Sequence, residues 1–467
     1  MSQTRTAVTE RISPSRMPSS LADTKLTEKQ PIQGPLRRLL DRLIPQDVWN
    51  NWQWDVRAGI FAGIYQGAVW TFALQLARGK LHASGIQMGL ATAAPAIGVL
   101  FAALWARQME GKPRLPFVTV TWLIARGMFM LTPLAVQGAF GRSAFIALIC
   151  LTPIIFSVSV PAYTFVMQDI YPDKLRGRLM SYVRICFATA MLSSAAISGY
   201  LQQHGIAGHH LDFRWMFCVG GMFGAASAWA FNHIKVPPPK TDVVVPPFAQ
   251  FFKETYSVLI HNRAYRWFTI SVFIGGFGNL VATTYYPIYQ VDKFHITPMQ
   301  IAGMQNVTGL SMLVSLFFWG WYMDRFGSLA AIMVSYVILL MMPLCYAFGS
   351  HVGWLFVAAG FGGISTSGID LGYLNATLMF AEPGRAGQYQ AVHSSFFGLR
   401  GSIAPLVAIR MLLVLSHTEH MQLANWRMGF VASFAIMLAG VLCQAVSMRS
   451  HRAAVAARLR AQRNQVQ

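Results

Sequence analysis

The chain has 467 residues, of which 54% are hydrophobic and 12% are charged. A soluble globular protein carries about 25% charged residues, so this composition excludes an ordinary water-soluble domain and indicates a membrane protein. The formal net charge of +20 would suggest a nucleic-acid partner for a soluble protein, but its distribution along the chain argues against one.

The N-terminal residues 1–55 are predicted to form a cytoplasmic segment. Residues 1–34 are polar and rich in Ser, Thr and Pro, which is typical of disorder, and we expect no secretory signal peptide there. Residues 35–44 contain three arginines among apolar residues. This pattern fits either a short amphipathic helix on the membrane surface or an unstructured basic linker, and the sequence leaves both open.

Apolar stretches of about 20 residues, the length that crosses a bilayer as a helix, recur along the rest of the chain. We predict an all-α integral membrane protein with twelve transmembrane helices, at 56–77, 84–105, 115–137, 143–167, 179–202, 214–233, 266–289, 298–321, 328–348, 353–379, 388–413 and 426–447. They divide into two six-helix bundles, 56–233 and 266–447, joined by a proline-containing cytoplasmic connector at 234–265. Residues 448–467 form a cytoplasmic tail.

The basic residues set the predicted orientation. With the N-terminus inside, most of the 37 Lys and Arg residues fall in cytoplasmic segments, which is the positive-inside bias of membrane proteins. Both termini are therefore predicted to be cytoplasmic, in a cell membrane and most plausibly a bacterial inner membrane. Membrane lipid rather than nucleic acid is the expected partner of this charge.

The five cysteines are scattered through the predicted helices without a CxxC or a His/Cys cluster. This spacing supports neither a disulfide framework nor a zinc site, and we predict no metal and no cofactor.

The two halves repeat one another. Lys80-Leu81-His82, followed by Gln87, returns as Lys293-Phe294-His295, followed by Gln300, 213 residues later. Gln66 and Asn279 are matched at the same offset. Two hydrophobic halves in the same order, joined by a polar connector, are typical of membrane transporters.

A loop motif indicates which family of membrane transporters the chain resembles. Gly320-Trp321-Tyr322-Met323-Asp324-Arg325-Phe326-Gly327 follows the second predicted helix of the second half, and a degraded copy spans 103–114. Tyr171-Pro172-Asp173-Lys174-Leu175-Arg176-Gly177-Arg178 follows the fourth helix. In these motifs the chain resembles the major facilitator superfamily (MFS), over about residues 55–447. The resemblance implies the twelve-helix fold of two pseudo-symmetric bundles, and transport by alternating access.

The resemblance also implies a conformational switch at the cytoplasmic loops. Only Asp324 and Arg325 would carry the role of the loop motif at 320–327. Arg178, in the loop after the fourth helix, is also predicted to belong to the switch. Arg184 is predicted to pair with Asp324 across the two halves.

Ionisable residues inside the membrane are costly and are candidates for function. Asp370 and Arg400 are predicted at matching depth on neighbouring helices, so they can pair. Pairing would keep Asp370 ionised, and loss of the partner during the conformational change would favour protonation, as a proton-coupling site requires. A fixed structural ion pair is the alternative.

Two other ionisable residues lie in predicted helices. His393, two turns before Arg400, could relay protons. Arg126 could bind an anionic substrate or serve as structural cement.

In the resembling family the first helix of each three-helix unit lines the cavity. This implies that Gln66 and Asn279 face one central site, unless their amides only bond neighbouring helices. The substrate-binding residues predicted in this way are Gln66, Trp70, Tyr163, Asn279, Thr283, Tyr286, Tyr373 and Asn375.

We therefore predict a monomeric secondary active transporter of a small organic solute, with symport or antiport of protons as a hypothesis. No phosphate-binding GxxxxGK[ST] loop occurs in the sequence, which argues against ATP hydrolysis. The alternative is a transporter-like receptor or membrane assembly partner that moves nothing. A membrane enzyme is disfavoured, because no clustered His, Cys or carboxylate constellation is present.

Overall fold

Helices account for nearly all of the secondary structure in the computed structural model. The structure describes residues 44–466 except for 102–104, 106, 107, 110, 137–139, 206–208, 210, 239–255, 261, 382–384 and 416–422. Residues 1–43 lie outside the described part, and they include all but the last residue of the predicted basic segment 35–44. Most of the predicted connector also lies outside it.

Among the described residues, the first half contains six helices: α1 Gln46–Gly79, α2 Gly85–Leu100, α3 Leu115–Ala135, α4 Gly141–Ile170, α5 Asp173–His204 and α6 Phe213–Phe231. The described part of the second half contains six more: α7 Arg263–Asp292, α8 Pro298–Phe326, α9 Ser328–Phe348, α10 Gly353–Phe380, α11 Ala386–Leu415 and α12 Leu423–Val466. Within the described residues, ten of these are long and apolar enough to span a membrane, and α2 is a shorter apolar helix.

The repeat seen in the sequence has a matching backbone geometry. His82 and His295 both adopt positive φ, 51° and 46°, at the turns that follow α1 and α7. Each turn leads into a capping box, in which Ser84 and Gln87 cap α2 and Thr297 and Gln300 cap α8. Because these caps satisfy free backbone amides, both turns fix the start of the next helix in the same way.

Small residues bring helices of the two halves into close contact. Gly89 of α2 lies against Pro405 and Ile409 of α11, while Gly199 of α5 lies against Pro298 and Ala302 of α8. A side chain at either glycine would meet the facing backbone or side chain, and such small residues are how membrane helices approach closely. The α2–α11 and α5–α8 contacts therefore join the two halves.

Polar contacts also join the halves at one end of the molecule, here named the 80/293 face after Lys80 and Lys293 in its two turns. Arg78 forms a bidentate ion pair with Asp292, with nitrogen–oxygen distances of 2.9 and 2.6 Å. Next to it, the Gln75 amide donates to Gln290 at 3.1 Å, and Gln290 donates to the Tyr346 hydroxyl at 2.6 Å. Charge-assisted bidentate pairs hold a fixed geometry, so this face is closed by contacts between the halves.

The first helix departs from its predicted bounds. It begins at Gln46 rather than at 56, and it is interrupted by a π-helical turn at Gln66–Trp70. The equivalent part of α7 continues as an α-helix. A π turn inserts one extra residue and rotates the rest of the helix about its axis, so the two halves are not equivalent at this point.

Candidate functional site

A cavity of about 450 Å³ opens among four helices of the second half. Its walls come from α7, α9, α10 and α11: Gly276, Asn279, Leu280, Tyr336, Leu339, Thr366, Ile369, Asp370, Tyr373, Gln390, His393, Phe397 and Arg400. A concave site lined by apolar and aromatic side chains with a few polar groups is what small-molecule binding requires. This cavity is therefore the candidate substrate site.

Arg400 supplies the buried positive charge of the cavity. Arg400 is 4% exposed, its guanidinium donates to the Val272 carbonyl and acts electrostatically on the Tyr336 hydroxyl, and it lies 5.1 Å from the centre of the Phe397 ring. Its Nε atom is buried and has no hydrogen-bond partner among the described residues. A carbonyl, a hydroxyl and a ring leave the positive charge itself unneutralised, and a buried unpaired charge is costly.

The backbone at Gly276 makes room for this guanidinium. A Cβ atom at this position would overlap a terminal nitrogen of Arg400. A side chain at position 276 would therefore require the Arg400 guanidinium to shift away from its present position in the wall.

A chain of polar and aromatic side chains leads away from Arg400. The hydroxyls of Tyr336 and Tyr373 share a hydrogen bond, and the Tyr373 ring lies 4.9 Å from the imidazole of His393. The three side chains come from α9, α10 and α11, and all line the cavity. His393 therefore lines the candidate site, and its part in proton relay stays a prediction.

Asp370 lies on the same cavity, with an exposed side chain. The predicted ion pair with Arg400 is not present among the described residues, because Arg400 is turned onto α7 and Tyr336 instead. Arg184 of α5, from the other half, acts electrostatically on Asp370 but forms no ion pair with it among the described residues. Correspondingly, the described residues show no ion pair of Arg184 with Asp324, the partner predicted from the sequence.

Of the eight predicted substrate-binding residues, Asn279 and Tyr373 line this cavity. Gln66, the repeat mate of Asn279, begins the π turn of α1 and is not among the lining residues. Trp70 ends that turn and donates from its indole to the Tyr65 hydroxyl at 2.9 Å. The residues that line the cavity all belong to the second half, so the two repeat mates do not share one wall.

The other predicted contacts face elsewhere. Thr283 donates to the Leu280 carbonyl of its own helix, and Asn375 is exposed and bonds the Leu371 carbonyl. Tyr286 is buried with its ring 4.2 Å from that of Tyr346, and its hydroxyl has no partner. None of the three lines the cavity.

Tyr163 belongs to a different cluster, around Arg126 in the first half. The Arg126 guanidinium lies 4.0 Å from the Trp122 ring and 5.3 Å from Phe156, and it donates to the Ser227 hydroxyl. Tyr163 packs against Trp122, with ring centres 5.8 Å apart. Like Arg400, this cation has no anionic partner among the described residues, and aromatic faces and a hydroxyl surround it. Unlike Arg400, it does not line the second-half cavity and has no buried unpartnered nitrogen among those residues, which favours the role of structural cement.

The predicted switch residues lie at the end of the molecule opposite the 80/293 face. Asp324 and Arg325 are exposed in the last turn of α8, which ends at Gly327 with φ of 82°. Gly111 has a similar φ of 71°, so the degraded first-half copy keeps the turn although it lacks the Asp-Arg pair. Arg178 is exposed near the start of α5.

Sequence reasoning missed Asp55. It is 3% exposed and accepts a hydrogen bond of 2.8 Å from the Tyr171 hydroxyl. The prediction began the first span at residue 56, which left Asp55 outside the membrane helix. The run of tryptophans that precedes it, at positions 49, 52 and 54, is the signal that could have placed the helix start earlier. Tyr336 and Gln390 of the cavity were also missed.

Comparison with known proteins identifies the family to which this architecture belongs. The model of the Major Facilitator Superfamily matches residues 58–405 and, in an overlapping match, 293–463. The chain belongs to this superfamily. It is thus a multi-pass membrane protein and a secondary transporter rather than an enzyme, as the resemblance in the sequence implied.

Solved structures of the same fold are distant in sequence. The nucleoside transporter NupG is 11% identical, with a TM-score of 0.67 over 85% of this chain and 99% of that one. A bacterial homolog of the human lysosomal transporter Spinster, in an inward-facing and unoccupied conformation, is 13% identical, with a TM-score of 0.60 over 87% of this chain and 98% of that one. At these identities the likeness concerns the fold alone. No curated protein matches the sequence.

Proposed function

We propose that this transporter moves a small organic anion through the second-half cavity, with Arg400 as the group that binds its negative charge. The observation that carries the proposal is the state of Arg400: it is buried, it lines the cavity, and its partners among the described residues are uncharged. A carboxylate or another oxyanion would neutralise this charge and bond the guanidinium. Asn279, Gln390 and Thr366 add polar contacts on the same walls.

The proposed orientation places both termini in the cytoplasm of a bacterial inner membrane. The positive-inside distribution then puts the 80/293 face outside. Because contacts between the halves close that face, the structure corresponds to an inward-facing state. Gln390 and His393, near the start of α11, lie at the cytoplasmic end of the cavity.

Proton coupling is proposed to use Asp370 together with Arg184. They belong to different halves, and Arg184 acts on the charge of Asp370 in the present state. Alternating access moves the halves relative to each other, so it changes the distance between these two residues. A carboxylate that loses a nearby cation binds a proton more readily, which would link protonation to the conformational change.

The experiment compares small molecules inside and outside cells that express the wild type, Arg400→Gln, Arg142→Gln or no transporter. Arg142 is an exposed arginine on the 80/293 face that bonds the His82 carbonyl, so it controls for general loss of positive charge. We expect an organic anion whose distribution changes with the wild type and Arg142→Gln, and not with Arg400→Gln. A transported solute without a negative charge, moved equally well by Arg400→Gln, would contradict the proposal.

A further inference from the structure

A second concave region lies on the outer surface of the second half, between α11 and α12. This groove has a volume of about 560 Å³. Its α11 wall is formed by Ile403, Leu406, Val407, Met411 and Val414, together with Arg410, and α12 contributes Met428. Val414 and Met428 are 69% and 55% exposed, as expected of side chains that face lipid.

The α11 wall is a single helix face. Positions 403, 406, 407, 410, 411 and 414 are spaced by three and four residues, which places them in one stripe about 16 Å long. Arg410 occupies one position of this otherwise apolar stripe, and it is the only charged residue among the described residues that line the groove. The groove therefore combines an apolar channel with one positive charge.

The level of Arg410 in the membrane follows from its neighbour. Ile409 packs against Gly85, the first residue of α2, at the 80/293 face. Arg410 is thus close to the membrane boundary on that face, where a long cationic side chain can reach the lipid headgroups from an apolar helix surface. Among the described residues no hydrogen bond or ion pair from Arg410 is present, and an arginine on a lipid-facing stripe is costly without an anionic partner.

We propose that this groove binds a glycerophospholipid with a net negative headgroup. The planar guanidinium of Arg410 donates to the phosphate oxygens, for which its fork geometry is suited. An acyl chain lies along the apolar stripe from Met411 toward Ile403, covered on the other side by Met428. The proposal is independent of what the central cavity transports, and it concerns the face opposite to the basic cytoplasmic loops.

The test measures lipid retention by the purified full-length protein with native mass spectrometry, after equal exposure to phosphatidylglycerol or phosphatidylcholine. Wild type is compared with Arg410→Gln and with the control Arg142→Gln, an exposed arginine on the same face outside the groove. We expect wild type and Arg142→Gln to retain phosphatidylglycerol in preference to phosphatidylcholine. Arg410→Gln should lower that retention about tenfold, because it removes a charge-assisted contact.

Equal retention by Arg410→Gln and wild type would overturn the proposal, as would an equal loss in Arg142→Gln, which would indicate a general surface charge effect. A third variant, Ala432→Trp, fills the groove from α12 and leaves Arg410 in place. It should also reduce phosphatidylglycerol retention, and this result decides the matter if Arg410→Gln fails to fold. Unchanged retention in Ala432→Trp would contradict a bound acyl chain in the groove.

Discussion

Among the described residues, each half of this transporter buries one arginine inside its helix bundle, and the two have different surroundings. Arg126 in α3 is surrounded by the rings of Trp122 and Phe156 and bonds Ser227. Arg400 in α11 lies in the wall of a cavity and retains a buried Nε without a hydrogen-bond partner among those residues.

One carboxylate from each half shows the same difference in surroundings. Asp55 of the first half is buried against the Tyr171 hydroxyl, while Asp370 of the second half is exposed to the cavity. A charge whose surroundings already satisfy it holds helices together, whereas a charge that faces a cavity can act on a ligand. The second half therefore carries the site, although the two halves share one architecture.

The largest expected effect comes from neutralising the cavity arginine. Arg400→Gln should reduce the apparent affinity for the transported anion by about 10- to 100-fold, the cost of losing hydrogen bonds from a charged group. Uptake or efflux measured against substrate concentration gives this value. Arg126→Gln is the matched variant: it should lower thermal stability while the affinity per folded protein stays near that of wild type. Equal loss of affinity in both variants would contradict the claim that Arg400 binds the substrate while Arg126 only stabilises the fold.

The next comparison separates the two carboxylates. Asp370→Asn should abolish the dependence of transport on a proton gradient, because an amide side chain does not gain or lose a proton at the pH of the transport assay. Asp55→Asn should keep that dependence, since the amide oxygen can still accept the bond from Tyr171. The measurement is proton flux that accompanies transport in proteoliposomes. Proton flux that persists unchanged in Asp370→Asn would show that coupling lies elsewhere.

A smaller effect tests whether the position of Arg400 matters beyond its presence. Gly276→Ala places a Cβ against the guanidinium and should displace it. Substrate affinity should fall about tenfold, because one charge-assisted hydrogen bond to the substrate is weakened. Gly360→Ala in α10 is the control, because its Cβ would meet only ordinary contacts at 3.8 Å and beyond. Affinity is measured as for Arg400→Gln, and an unaffected Gly276→Ala would mean that Arg400 can relocate without cost.

The smallest expected effect concerns the contact between the halves. The Arg78–Asp292 pair is partly exposed, at 28% and 31%, so its removal in Arg78→Ala should cost at most about 1 kcal/mol. That corresponds to a shift of about fivefold toward states open at the 80/293 face. The labelling rate of a cysteine introduced at Asn279, with a reagent that cannot cross the membrane, reports this shift. Lys80→Ala, a change of charge in the adjacent turn, should leave the rate unchanged.

The repeated features of the fold were predictable because local rules determine them. The matched turns after α1 and α7 required a left-handed residue and a capping box, and both appear in the sequence as Lys-x-His followed by a capping residue and Gln. The loop motif ending at Gly327 likewise needed a residue that tolerates positive φ. These positions are encoded over a few residues and can be recognised without tertiary contacts.

The site was only partly predictable because it depends on how helices are rotated. An apolar membrane helix has polar residues on several sides, and the sequence does not state which side faces a cavity. Thr283 and Tyr286 share a helix with Asn279, yet only Asn279 lines the cavity. The π turn at Gln66 was not predicted from the sequence. The prediction of an Asp370–Arg400 pair used the depth of the two residues in the membrane alone, and depth does not show that the Arg400 guanidinium turns toward the Val272 carbonyl.

The central claim is that Arg400 receives an anion in the second-half cavity, and ligand-dependent unfolding tests it most directly. Purified wild type and Arg400→Gln would be heated with a panel of small organic acids and, for each acid, its uncharged amide. A ligand that binds the folded state raises the unfolding temperature with concentration. We predict that at least one acid stabilises wild type, that its amide does not, and that Arg400→Gln loses the effect. Stabilisation by acid and amide alike, or an acid effect that survives in Arg400→Gln, would contradict the claim.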